Sequence, residues 1–151
     1  MIAGALIVVL VFVRRSANRA KSEWKNAAAS ALRDADLTRD MLADEAPPGV
    51  AEDATRLRAV RESVERVATN FDQLAANAPN DEMRRRSIGV ATSLRGYFFA
   101  LEAEQMLHNA PTAPTADQLG TADATKRARA VELDAAVAAI RAHVVPDTSQ
   151  R

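Results

Sequence analysis

Residues 57–78 read LRAVRESVERVATNFDQLAANA, in which Leu57, Val60, Val64, Val67, Phe71, Leu74 and Ala78 follow one another by unbroken steps of three and four. Such steps return to one face of an α-helix, and a sustained seven-residue repeat is the seam of left-handed helix packing. A stripe of this kind cannot bury itself, so it predicts partner helices of similar length. Glu52 and Asp53 stand before it, where the positive end of the helix dipole favours acids, and Pro79 ends it. The helix is expected over about residues 49–78.

Working outward, the same period recurs on both sides. Upstream, Trp24, Ala28, Ala31, Ala35, Thr38 and Leu42 mark a helix of about residues 14–46, closed by Pro47, Pro48 and Gly49. Downstream, Asn80 is a good N-cap, with Asp81 and Glu82 in the first turn. The helix it opens, about 81–109, carries Met83, Val90, Leu94, Tyr97, Phe98, Leu101 and then Gln105 or Met106. A loop with Pro111 and Pro114 follows, in which Thr115 is able to start a helical turn. The last helix, about 121–145, shows Ala130, Leu133, Val137, Ile140 and Val144 on one face and stops at Pro146, leaving a polar tail at 147–151.

Stripes of similar length joined by two tight turns and one longer loop predict an all-α fold, an antiparallel up-down-up-down four-helix bundle. Heptads do not say whether their partners lie in the same chain, so two hairpins paired between molecules are the alternative packing. Composition agrees, since 33 of 151 residues are alanine and only 5 are glycine. β-Branched residues are thin after residue 13, which excludes an all-β or doubly wound α/β fold.

The block Met1–Val13 carries no charge and is almost wholly apolar, with Ile2, Leu6, Ile7, Val8, Val9, Leu10, Val11, Phe12 and Val13. As a helix it spans about 20 Å against a hydrocarbon core of about 30 Å. A cleaved secretory signal needs basic residues before the apolar run and small ones after it, and here Arg14 and Arg15 follow at once. Residues 1–13 are therefore expected to be a membrane anchor continuous with the first helix of the bundle. Its shortness is met by snorkelling arginines and a thinned bilayer, or by further apolar residues upstream of Met1. Arg14, Arg15, Arg19, Lys21 and Lys25 against Glu23 alone make residues 14–25 a basic juxtamembrane stretch. By the positive-inside rule this places the helical domain in the cytoplasm of a single-pass membrane protein.

Function classes narrow by subtraction. Equal numbers of Lys plus Arg and of Asp plus Glu, 20 each, give no basic excess for nucleic acid. With no cysteine there is no disulfide, thiolate nucleophile or Cys-based metal site. The nearest approaches to a di-metal motif are Glu104 with His108 and Glu132 with His143, which do not repeat one spacing, and the two histidines read better as last-turn residues at helix C-termini. Ser87, Thr92 and Ser93 lack a base or a glycine elbow and read as small packing residues. No catalytic residue, metal or cofactor is expected.

Two surfaces stand out. Gly89, Ser93 and Gly96 share one face of the third helix beside Tyr97 and Phe98, a face suited to close helix approach or to a small apolar pocket. Tyr97, Phe98 and Phe99 cannot all point into one core, so at least one ring is displaced outward as a partner contact. Arg84, Arg85 and Arg86 begin the third helix, where cations oppose the dipole. In an up-down bundle they join the juxtamembrane cations and face anionic headgroups, while Asp40, Asp44, Glu45, Glu52, Asp53, Asp117 and Asp123 gather at the far end. The expected function is a non-enzymatic interaction module or accessory subunit of a membrane complex, with a protein partner or a homo-oligomer. A membrane-anchored bundle that senses a ligand or binds lipid is the second expectation. Heavy use of alanine, and of arginine over lysine, associates with GC-rich bacterial genomes.

Overall fold

Local sequence chemistry sets the helix ends. Asn80, in extended backbone, accepts the Met83 amide on its side-chain oxygen at 2.8 Å and opens a helix with Asp81 and Glu82 in its first turn. Thr115 and Gln118 form a reciprocal box: the Gln118 amide donates to Thr115 Oγ1 at 3.2 Å and the Thr115 amide to Gln118 Oε1 at 2.9 Å. This box starts the last helix at Ala116, five residues before the expected Thr121, and carries Gly120 inside it. The loop is correspondingly shorter.

The computed structural model describes residues 2–43 and 52–144, with side chains from residue 18 in the first helix and from residue 55 in the second. Four helices result: α1 (Ile2–Ala43), α2 (Glu52–Ala76), α3 (Asp81–His108) and α4 (Ala116–Val144), with no strand among the described residues. The polar tail at 147–151, Asp44, Glu45 and the Pro47–Gly49 breaker lie outside the described residues, as do the side chains of Arg14, Arg15, Glu52 and Asp53.

Contacts between helices run in opposite order along each neighbouring pair. Trp24 meets Leu74 while Thr38 meets Ser63, joining α1 to α2. Asp72 and Glu65 meet Arg95, and Arg61 meets Glu102, joining α2 to α3. Arg86 reaches Ala139 and Glu104 reaches Lys126, joining α3 to α4. Arg141 returns to Asp36 and Asp134 to Arg39, closing the ring on α1. Neighbours are thus antiparallel, and α2 lies across the bundle from α4.

The α2 seam is the centre of the core. Val64, Val67 and Phe71 are fully buried, Val60 and Leu74 nearly so, and Leu57 and Ala78 pack against them. The α1 stripe of Trp24, Ala28, Ala31, Ala35, Thr38 and Leu42 is buried throughout. On α3 the core takes Met83, Val90, Leu94, Tyr97 and Phe98, with Leu101 at its edge; on α4 it takes Leu133, Val137, Ile140 and Val144. Met106 does not join it. It is 69% exposed, and Gln105 takes the half-buried place instead.

α1 is one helix of 42 residues, about 63 Å long. Residues 18–23 are exposed and Trp24 is the first buried side chain among those described; it meets the last turn of α2, so α1 continues past that end of α2. Among the described residues no helix is long and apolar enough to cross a membrane.

Candidate interaction surface

The turn between α2 and α3 brings Asp81–Arg86 to the end of the bundle from which the start of α1 projects, beside the last turn of α4. The expected arginine cluster arrives there with its own acids. Arg84 pairs with Asp81 at 3.2 Å. Arg86 is part-buried and grips Glu82 with two nitrogens, at 2.6 and 3.1 Å, while its third donates to the Ala139 carbonyl at 2.8 Å. It therefore ties α3 to α4. Arg85 is exposed, with no ion pair to a described residue. Glu82 is held below the ordinary carboxylate range, first by the Arg86 hydrogen bond and its charge, with His143 and Arg85 adding to it. His143 stands 3.8 Å from Glu82.

Of the cations that follow the apolar block, three have described side chains. Arg19 pairs with Glu23 at 2.8 Å, Lys21 is exposed and Lys25 is half-buried. At the other end of the bundle Asp40 and Asp117 are exposed, and Asp123 pairs with Arg127, whose hydrogen bond lowers the Asp123 carboxyl. The charge separation along the bundle is therefore weaker than a count of arginines suggests, because neighbours i,i+3 and i,i+4 neutralise much of it.

Gly89, Ser93 and Gly96 are half-buried, and Tyr97 and Phe98 belong to the core. A Cβ on Gly89 would meet nothing within 4 Å, and one on Gly96 would meet only the Arg129 side chain at 3.7 Å. Among the described residues no backbone of another helix comes within 4 Å of a Cβ built on either glycine, contrary to the close-approach expectation. Each glycine still costs the helix about 1 kcal/mol against alanine, without compensation inside the chain.

The displaced aromatic is Phe99, 70% exposed, and it is not alone. Ile88, Phe99 and Met106 lie on the outward side of α3, all exposed, with Thr92 and Ala103 exposed among them. Arg95, at the edge of this strip, is turned aside to Asp72 at 3.0 Å and Glu65 at 3.3 Å, and the Asp72 hydrogen bond holds its guanidinium further into the charged form. The outward side of α4 is also free of charge, with Ala124, Ala128, Val131, Ala135, Ala138 and Ala142 all exposed. Apart from the displaced ring, neither strip shows in the inward stripe of its helix, because both faces are apolar.

One groove of about 630 Å³ opens between α1 and α2, lined by Glu23, Trp24, Ser30, Asp34, Asn70 and Gln73 among others. The metal-motif candidates are otherwise engaged: Glu104 binds Lys126 at 2.8 Å, Glu132 binds Arg129 at 2.7 Å, and His108 sits in the last turn of α3. Among the described residues no three His, Asp or Glu side chains gather as a metal site. Against known proteins, the chain matches no family model, no curated protein and no solved structure.

Proposed function

We propose that the chain is a non-enzymatic, single-pass membrane protein of bacterial type, whose helical bundle, on the cytoplasmic side, serves as an interaction module or accessory subunit of a membrane complex. The supporting observation is the continuity of α1, which carries the apolar Ile2–Val13 block and the cations after it into the bundle as a single helix. A rigid connection of this kind holds the bundle at a fixed distance from whatever grips the block. The two uncharged outward strips, on α3 and α4, supply surface for protein contact. Anionic headgroups attract Lys21, Lys25 and Arg85 by about 1 kcal/mol per cation near the surface.

The test is membrane fractionation of the full chain and of a chain lacking residues 2–13, with a reporter after Arg151. The full chain is expected in the membrane fraction after a high-salt wash, the shortened one in the supernatant, and the reporter active only as a cytoplasmic protein. Equal partition of the two chains sinks the anchor, and an external reporter reverses the topology. The groove between α1 and α2 favours the second reading, a ligand-sensing bundle, over the glycine face that first suggested it. A small molecule retained through purification supports that reading, and a stoichiometric protein supports the first.

A further inference from the structure

The outward face of α3 resolves into two columns set by the helical period. One column holds Asp81, Ile88, Phe99 and Met106; beside it run Arg85, Gly89, Gly96 and Ala103, with Thr92 on the line between them. The first is an acid followed by three large apolar side chains, exposed by 46%, 70% and 69%. The second is a base followed by three of the smallest residues, and among the described residues nothing lies within 4 Å of a Cβ built on Gly89. We propose that this face binds a second copy of itself, as a parallel pair about a two-fold axis along the helix.

Such an axis lays each column on the opposite column of the other copy, so every contact occurs twice. Phe99 and Met106 seat over the partner's Gly96 and the partner's Ala103, Ile88 over the partner's Gly89, and Asp81 meets the partner's Arg85. An antiparallel pair would set large on large and glycine on glycine. Arg95, seven residues after Ile88, is the one charge that falls in the first column between Ile88 and Met106, and its guanidinium is turned aside to Glu65 and Asp72. A charged partner therefore gains little along most of the strip, and at its end the exposed Arg85 stands opposite the acid of the partner's Asp81, which within its own chain pairs with Arg84. The glycines acquire a reason: they are the seats for the large column.

The strip is about 27 Å long and, at a helix width of about 10–12 Å, covers roughly 300 Å². A standard interface takes about 800 Å² from each partner. The pair is accordingly weak in dilute solution and strong where two copies are held side by side. Parallel alignment is the orientation that two copies anchored by residues 1–13 share. The inference deepens the interaction-module reading by naming the partner, yet its contacts do not require the anchor.

The chain has no cysteine, so Thr92→Cys places a single thiol at the proposed axis and Val131→Cys one on the outward face of α4. The full chain is oxidised mildly in its own membranes, or at high concentration if it fractionates as soluble. Thr92→Cys is expected to give disulfide-linked dimer in at least about ten-fold the yield of Val131→Cys, the mark of a preferred contact. Adding Gly89→Leu is expected to cut that yield by about ten-fold without lowering the helical melting temperature, because the site is open in the single chain. Equal yields from the two thiols, no dimer from Thr92→Cys, or an unchanged yield with Gly89→Leu overturns the proposal. A soluble chain that still crosslinks at residue 92 refutes the anchor and leaves the pairing standing.

Discussion

The indole N–H of Trp24 donates to the Leu74 carbonyl oxygen at 2.9 Å, across 50 residues of chain. Leu74 lies in the last turn of α2, where carbonyls lose their helical partners. A side chain of α1 thereby caps α2 from outside it, and fixes the height at which the two helices meet.

Trp24→Phe keeps the ring in the core and removes this donor, leaving the Leu74 oxygen unpaired. A loss of about 1–2 kcal/mol is expected in denaturant unfolding followed by circular dichroism. Unchanged stability would mean that water reaches the carbonyl.

Ser87 is completely buried and its hydroxyl has no hydrogen-bond partner among the described residues. Ser87→Ala removes an unsatisfied polar group and improves helix propensity, so a gain of about 1 kcal/mol is expected in the same assay. A loss would show that the hydroxyl is bonded in solution.

Lys126 and Glu104 form a nearly buried pair between α3 and α4, with side chains 10% and 17% exposed. Lys126→Met alone strands the carboxylate and is expected to cost up to about 3 kcal/mol. The double change Lys126→Met with Glu104→Met should recover most of that loss. A double variant as unstable as the single would show that the pair supplies net stability.

Glu82 has a folded pKa below its ordinary 4.5, because the Arg86 hydrogen bond and charge favour the carboxylate. The unfolded chain therefore binds the proton first as pH falls. The stability from this group is present above pH 4.5 and is lost as acid titrates the folded carboxyl. Melting curves taken downward from neutral pH should show a shallower acid limb for Glu82→Gln than for the parent, and coincident limbs would remove Glu82 from the acid response.

Val64 has no exposed surface. Val64→Asp buries an unpaired charge and is expected to abolish cooperative melting, at a cost of several kcal/mol.

α1 and α2 were legible because each has one apolar face and one polar face, and every position named for their seams is buried or packed against the core. α3 and α4 hide their register by being apolar on two sides. Met106 is the more apolar of the two candidates after Leu101, but Gln105 keeps the step of four, while Met106 falls by the helical period with Ile88 and Phe99 and faces out. Lys126 occupies a core position on α4 that periodicity discards, since its partner Glu104 lies 22 residues back on another helix. The early start of α4 was written in Thr115 and Gln118, but Pro111 and Pro114 outweighed it. Topology alone brings the arginine cluster to the end of the bundle from which α1 starts. Its neutralisation by Asp81 and Glu82 depends on rotamers that spacing permits and does not dictate.

α1 has no proline and no glycine after Gly4, so it has no hinge between its first turns and the bundle. From Ile2 to Trp24 is about 33 Å of stiff rod. A tilt, lift or axial turn applied to the apolar end is delivered without slack to the places where α1 is pinned, the Trp24 indole and the Thr38 hydroxyl against α2, and Asp36 and Arg39 against α4. The helix thus has the stiffness of a drive shaft, and Trp24, the single tryptophan of the chain, is a built-in optical gauge of any torque that reaches the other three helices.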